Sequence, residues 1–369
     1  ANVAGVYRMI GLTEADQVRV IDDYTVQFTQ AQPSDLSSHI QIISLYVFDS
    51  EELKSHATAD DPWAKEWTTK NPQSGGAYNV VDYKPGQEIV MEANPSFPSA
   101  QPRVKRVKLQ VIPAPANRRL LLEKGEVDIA LGLSRRDIND MRSSKGIKVI
   151  SSPSNQFVFM PMAMGTAPFD NPKVRQAMAH VVPYDAIVTN VYSGNARRST
   201  SPVPLDMPGH SSKGYPFTFD IDKAKALLAE AGMTDGFESE IAILAGDVAQ
   251  ERAAVLVSSA ARLAGIELKI TPLDPGTLFQ RRREKTIPLQ IAAGQMWVND
   301  IEYLLATSLT PGGFLNYAGY DSPRLVEIFQ ALNKTSDMTA RNTMFGEVQT
   351  ILARDVPWLV LAQPHFDLP

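Results

Sequence analysis

RVKLQVIPAPANRRLLLEKGEVDIALGLSRRDINDMRSSKGIKVIS (106–151) is the stretch on which the fold class turns. RVKLQVI (106–112) carries the β-rich composition of a strand, and a helix is predicted over 115–124, stopped by Gly125. VDIAL (127–131) is too short and too apolar for a surface helix, so it reads as a short buried strand. A helix over 134–143 and a strand over 147–151 follow. Strand, helix, strand, helix, strand is the grammar of an α/β lobe.

Working backward, AYNVVDY (77–83), Lys84-Pro85-Gly86 and EIVMEA (88–93) form a predicted hairpin whose turn carries the expected residues. An earlier hairpin joins VRVI (18–21) to TVQFT (25–29) across Asp22-Asp23-Tyr24, with Val18, Val20, Val26 and Phe28 at period two. Between the hairpins a helical stretch is expected around 34–56. Trp63 and Trp67, four residues apart, would share one helical face.

Working forward, QFVFMPMAM (156–164) is a long apolar run interrupted by Pro161, placed as a crossover between lobes. Asp170-Asn171-Pro172 starts a helix running to about 182, with Pro172 at its first position, and Pro183 opens a neighbour ending at Gly194. The proline-bearing stretch 196–216 reads as an ordered loop. Asp220 caps a helix over 221–231 with Ala224, Leu227, Leu228 and Ala231 on one face. Helices at 247–264, 275–284, 322–334 and 337–354 alternate with strands at 266–271, 288–293 and 358–363. This is a second α/β lobe.

A chain of 369 residues suits two lobes better than one core. A net charge of −5 argues against a nucleic-acid partner, and Arg281-Arg282-Arg283, followed by Glu284, is explained more simply as a helix surface. The absence of cysteine excludes thiol nucleophiles, disulfides, Fe–S clusters and Cys-based zinc sites, and is compatible with an oxidising compartment. No stretch approaches the roughly 20 apolar residues of a membrane span, and ANVAGVYRMIGL (1–12) is not a signal peptide. His39, His56, His180, His210 and His365 show no metal-ligand spacing and no evident Ser or Asp partner, so no catalytic group is expected and no cofactor is implied.

Seven blocks in order resemble the family 5 extracellular solute-binding proteins, which serve peptide and nickel ABC importers. They are GGAYNVVDYKPGQEIVMEANPSF (75–97), LLLEKGEVDIA (120–130), PFDNPKVRQAMAHVV (168–182), DIDKAKALLAEAGM (220–233), WVNDIEYL (297–304), LNYAGYDSPRLVEIF (315–329) and RNTMFGEVQTILARDVPWLVL (341–361). The resemblance implies an α/β, two-lobed periplasmic-binding-protein fold with an extra subdomain inserted in lobe one. It divides the chain into a remnant of that insert (1–74), a partial lobe one (75–152), lobe two (153–363) and the start of a return crossover (364–369). Lobe one is thus expected to be incomplete here, with a signal peptide lying outside this sequence.

The resemblance further implies a non-catalytic, periplasmic receptor that closes its lobes on a short peptide or related amino-bearing molecule. It would hand that ligand to ABC permease subunits and meet the membrane only through them. A sensory receptor of the same fold is the alternative; a hydrolase is a third and poorer one.

Asp300 matches the position that holds the ligand's ammonium group in peptide-binding relatives, and it follows a strand expected to end at the cleft. It equally suits the N-cap of a helix starting at Ile301. Trp297 is either an apolar wall of the pocket or a core residue. Asn299 and Gln295 are candidates for neutral hydrogen bonds. Phe157, Phe159, Met160 and Met162 either line the cleft or pack the core. The block departs from the family where Ile301-Glu302-Tyr303 lacks the usual proline, and the asparagine often found before the Pro-Phe pair is replaced around Ala163. These departures bear on a standard dipeptide ligand, and no nickel-chelate pocket is identifiable.

Overall fold

The computed structural model describes residues 11–30, 47–72, 75–213, 215–335 and 337–369. The first part of the helix expected over 34–56, and His39 with it, lies outside them. The chain divides into two units, one of residues 1–42 and 149–368, the other of residues 43–148 with Pro369.

The first hairpin belongs to the larger unit. β1 (Val18–Asp22) pairs antiparallel with β2 (Thr25–Phe28), placing Val18 opposite Phe28 and Val20 opposite Val26, as the period of two requires. The Asp22 carboxylate accepts the Tyr24 N–H at 2.8 Å and closes the turn.

In the smaller unit, Asp49 caps the helix Ser50–His56 through the N–H groups of Glu51 and Glu52. Trp63 and Trp67 do not share a helical face. Ala64 takes a left-handed conformation (φ 47°), so the helix starts only at Lys65, leaving Trp63 outside it and exposed. Trp67 stacks on His56 with ring centroids 4.0 Å apart. β3 (Tyr78–Lys84), β4 (Glu88–Ala93) and β5 (Arg106–Gln110) form an antiparallel sheet in that order. Glu88 stands between Lys84 (2.6 Å) and Lys108 (2.7 Å) across it.

The helix Pro115–Glu123 ends before Gly125 as expected, and Ser134 caps the helix Arg135–Met141. VDIAL (127–131), by contrast, is neither a strand nor buried throughout: Ile129 and Leu131 are exposed. A strand exists only through a partner, and among the described residues this stretch makes one backbone hydrogen bond, from Ala130 N–H to the Pro369 carbonyl at 3.4 Å. The next strand, β6 (Ile150–Ser152), begins at the end of the range expected for it.

The larger unit is organised by β7 (Gln156–Pro161), whose continuous apolar run means burial on both faces. Its residues alternate between two cores. Val158, Met160 and Met162 pack on the side of the helices Pro172–Val181, Ile221–Glu230 and Val248–Arg262. Phe157 and Phe159 pack on the other side with Leu304, Leu325, Val348 and Trp358. β8 is the short pair Ala196–Arg197. β9 (Phe237–Leu244) and β10 (Ile266–Leu273) are parallel partners over eight registered pairs. β11 (Ala292–Gln295) and β12 (Trp358–Pro364) flank β7, both antiparallel to it, and β12 also pairs with β8. β13 (Phe366–Leu368) pairs with β6.

The segment 289–291 stitches the β9–β10 pair to this sheet. Ala242 N–H donates to the Leu289 carbonyl and Ile291 N–H donates to the Ala242 carbonyl, both at 2.9 Å. On its other side, Ala163 N–H reaches the Pro288 carbonyl at 2.8 Å. Asn171, Asp220, Asp247, Asp274, Ser322 and Asp337 cap the major helices, each accepting a first-turn N–H.

Candidate functional site

Strand direction defines the edge at which the candidate residues stand. β9 and β10 are parallel, Gln290 bridges in parallel to Ala242, and β11 and β12 are each antiparallel to β7. Hence β9, β10, β11 and β12 all run one way and β7 runs against them. Their carboxyl ends, at Leu244, Leu273, Gln295 and Pro364, form one edge. Open α/β sheets bind ligands outside that edge. The segment 295–300 leaves β11 there.

Along this segment, residues alternate between core and surface. Met296 and Val298 are buried in the second core, which forces Gln295, Trp297 and Asn299 outward; Trp297 is 51% exposed. The Asn155 amide N–H holds the Met296 carbonyl at 2.5 Å, tying the segment to the start of β7, where Gln295 pairs with Gln156. The Asn299 amide donates to the Asp206 carbonyl at 3.1 Å.

Asp300 is half-buried and caps the helical turn Ile301–Leu304, its Oδ1 accepting the Glu302 N–H at 2.6 Å. Among the described residues no hydrogen bond is made to its Oδ2. The cap is therefore present, and it leaves one carboxylate oxygen uncommitted.

The turn behind Asp300 is firmly held. It continues into a π-helical turn, Leu305–Leu309, in which Thr307 Oγ1 donates to the Tyr303 carbonyl at 2.7 Å. The Thr307 carbonyl in turn accepts the Leu315 N–H at 2.8 Å. A Cβ at Gly313 would stand 2.5 Å from that carbonyl, so glycine is required for the loop to close against the turn. Arg341 Nη1 lies 2.9 Å from Glu302 Oε1 while donating to the carbonyls of Leu332 and Thr335 at 3.0 Å.

Phe159, Met160 and Met162 are not gathered with this group. All three are at most 2% exposed and their neighbours are core side chains, because a strand in the middle of a sheet presents both faces to packed layers. Phe159 meets Trp358 edge-on at 5.3 Å. A Cβ at Gly294 would come within 3.0 Å of the Phe157 ring, so the rings lie directly beneath the strand that carries the site.

The family 5 profile of bacterial extracellular solute-binding proteins (Middle) matches residues 4–316. The chain belongs to that family. It is 26% identical over 363 residues to the probable D,D-dipeptide-binding periplasmic protein of Escherichia coli K12, covering 94% of this chain and 67% of the relative. It is 26% identical over 360 residues to heme-binding protein A of Haemophilus influenzae, covering 94% of this chain and 64% of the relative. The chain thus spans about two thirds of the length of these curated relatives. The Helicobacter pylori periplasmic binding protein DppA, solved with the peptide STSA, superposes with a TM-score of 0.85 at 21% identity over 99% of this chain and 72% of that one.

This solute-binding protein also brings to the strand-end edge residues that the sequence did not single out. Arg197, at the end of β8, is paired across to Gln363 of β12 and forms an ion pair with Asp206. The Gln363 side chain accepts the Leu205 N–H, so the loop 202–206 returns to the same edge from which β8 left it. Ser154 Oγ donates to the Pro364 carbonyl at 2.6 Å. No spacing rule connects residues 155, 197, 206, 299 and 363; the only local signal was the density of prolines around 202–208, which marks a loop of fixed shape.

The histidines bear on a hydrolytic alternative. His180 is buried with Nδ1–H donating to the Thr218 carbonyl at 2.8 Å, and burial pulls its pKa down, keeping it neutral. His210 Nδ1 is 2.9 Å from the Val203 carbonyl. The expectation that no histidine has a serine partner needs one correction. The β6–β13 pairing sets His365 Nδ1 3.4 Å from Ser151 Oγ, although the two are 214 residues apart in sequence. Among the described residues no group of three or more His, Cys, Asp or Glu is placed to hold a metal ion, and no helix is long and apolar enough to cross a membrane.

Proposed function

We propose that this solute-binding protein captures a short peptide, or a related amino-bearing molecule, by closure of its two lobes and delivers it to the permease of an ABC importer. The observation that carries the ligand class is the uncommitted Oδ2 of Asp300 at the carboxyl ends of four co-directional strands. A carboxylate there offers an ammonium group a charge-assisted hydrogen bond that a neutral side chain does not match. Supporting it, the E. coli relative is named for D,D-dipeptides and the H. pylori neighbour was solved with a peptide.

In this reading Trp297 supplies an apolar wall beside the ammonium subsite, and Asn299 and Gln295 supply neutral hydrogen bonds. Phe159 packs one face of the sheet and Met160 and Met162 the opposite face, so they act as support for the strand and not as lining of the ligand site. Closure would follow from the ligand's greater affinity for the closed state. The periplasm is the compartment in which such a receptor works, and the permease is its partner.

The test is calorimetry on the full-length protein with trialanine. Asp300→Ala is expected to weaken binding at least tenfold. An unchanged affinity would remove Asp300 from the ligand site.

A further inference from the structure

The rim that carries Asp300 also carries a cation whose donors are largely unspent. Arg197 has three guanidinium nitrogens. Its Nη2 is paired with the Asp206 carboxylate, Nε is buried without a hydrogen-bond partner, and among the described residues Nη1 has none. An arginine Nε–Nη2 edge is shaped to receive both oxygens of one carboxylate. Here that edge is only half used, and a buried donor left unpaired is costly enough to call for an explanation.

Asp206 has the marks of a movable occupant. Its side chain is 62% exposed, so little packing holds the carboxylate in place. Its backbone is held instead: the carbonyl accepts the Asn299 amide, and φ is +61°, a conformation that Asp tolerates better than most residues but that still costs energy. The backbone anchor and the side chain are thus separable. Asn299, one residue before Asp300, is fastened to the residue that neutralises Arg197.

We infer that Arg197 is a second pole of the ligand site, which takes an anionic group of the ligand in exchange for the Asp206 carboxylate. The ligand class is then a dipolar molecule with an ammonium at Asp300 and a carboxylate at Arg197. Asp206 serves as an internal competitor that keeps the cation neutralised when no ligand is bound. This rests on the reading of the strand-end rim as the ligand site.

The experiment compares trialanine with trialaninamide by calorimetry on the full-length protein and its variants. The acid is expected to bind at least tenfold more tightly than the amide. Arg197→Gln should abolish that ratio, and Arg197→Lys, which keeps the charge but loses the two-pronged edge, should retain part of it. Asp206→Asn should tighten the acid severalfold and leave the amide unchanged, a gain that a purely structural ion pair would not produce.

A wild-type ratio near one, equal weakening of both ligands by Arg197→Gln, or weaker binding of the acid by Asp206→Asn overturns the Arg197 assignment and leaves the Asp300 site standing. Binding of neither form overturns both. Should Arg197→Gln not fold, as judged by its melting curve, Arg197→Lys and Asp206→Asn still decide.

Discussion

Asp355 shows how much one side chain joins at the end of the last long helix. Its carboxylate accepts from Arg354 Nε at 2.7 Å and from the Tyr320 hydroxyl at 2.7 Å, while its backbone carbonyl accepts from Arg175 Nε at 2.6 Å. Arg175, itself 3% exposed, also holds the carbonyls of Phe169 and Asp170. Burial alone would raise the Asp355 pKa; the hydrogen bonds from Arg354 and Tyr320 and the charges of Arg354 and Arg175 outweigh it and hold the carboxyl below its ordinary range. A group depressed on folding contributes stability that is present above its unfolded pKa and lost as pH falls through the folded one. The wild type is therefore expected to lose stability below about pH 4 faster than Asp355→Asn. Denaturant midpoints taken from pH 7 down to pH 3 would show the two curves converging, and a constant gap would count against this account.

At the scale of elements, the β9–β10 pair depends on two glycines meeting at its start. Gly236 (φ +81°) and Gly265 (φ +80°) precede the first registered pair, Phe237 with Ile266, and a Cβ on Gly236 would sit 1.9 Å from the Gly265 carbonyl oxygen. Gly232 (φ +76°) ends the preceding helix in open space. Gly232→Ala should cost only the left-handed penalty, roughly 1–2 kcal/mol. Gly236→Ala meets backbone as well and should cost at least about 2 kcal/mol more. Urea midpoints of the two variants check this, and equal losses would mean that the turn shifts without penalty. The register also sets where β9 and β10 end, and hence where Asp247 and Asp274 cap the helices that follow.

Across the whole molecule, the residues proposed for both poles, Asp300 and Arg197, lie in the unit formed by residues 1–42 and 149–368. A ligand that binds only the folded form stabilises it by about 2.7 kcal/mol at a hundred times its dissociation constant. For a unit of this size that amounts to a rise of roughly 5–10 °C in melting temperature. Scanning calorimetry with and without trialanine should show that rise. Asp300→Ala should reduce the rise at the same ligand concentration, and an unaltered rise in the variant would place the ligand elsewhere.

Much of this protein was legible before any coordinates. Helix starts were readable because caps are local: Asn171 before Pro172, and Asp220, each announce themselves within four residues of what they cap. QFVFMPMAM was legible as an apolar crossover whose side chains either line the cleft or pack the core, and burial on both faces of β7 decided for the core; the seven ordered blocks pointed to the family. VDIAL misled because a strand is defined by its neighbour, and residues 127–131 cannot show whether one stands beside them. Trp63 misled because the left-handed turn at Ala64 leaves no mark in a spacing rule. Asp300 was legible as both ligand residue and cap; tertiary structure showed that the cap uses one oxygen and leaves the other. The Arg197–Asp206–Asn299 chain was not legible at all. Its members are brought together only when β8 descends beside β12 and the loop after it climbs back, and such proximity is a property of the folded sheet that no local pattern encodes.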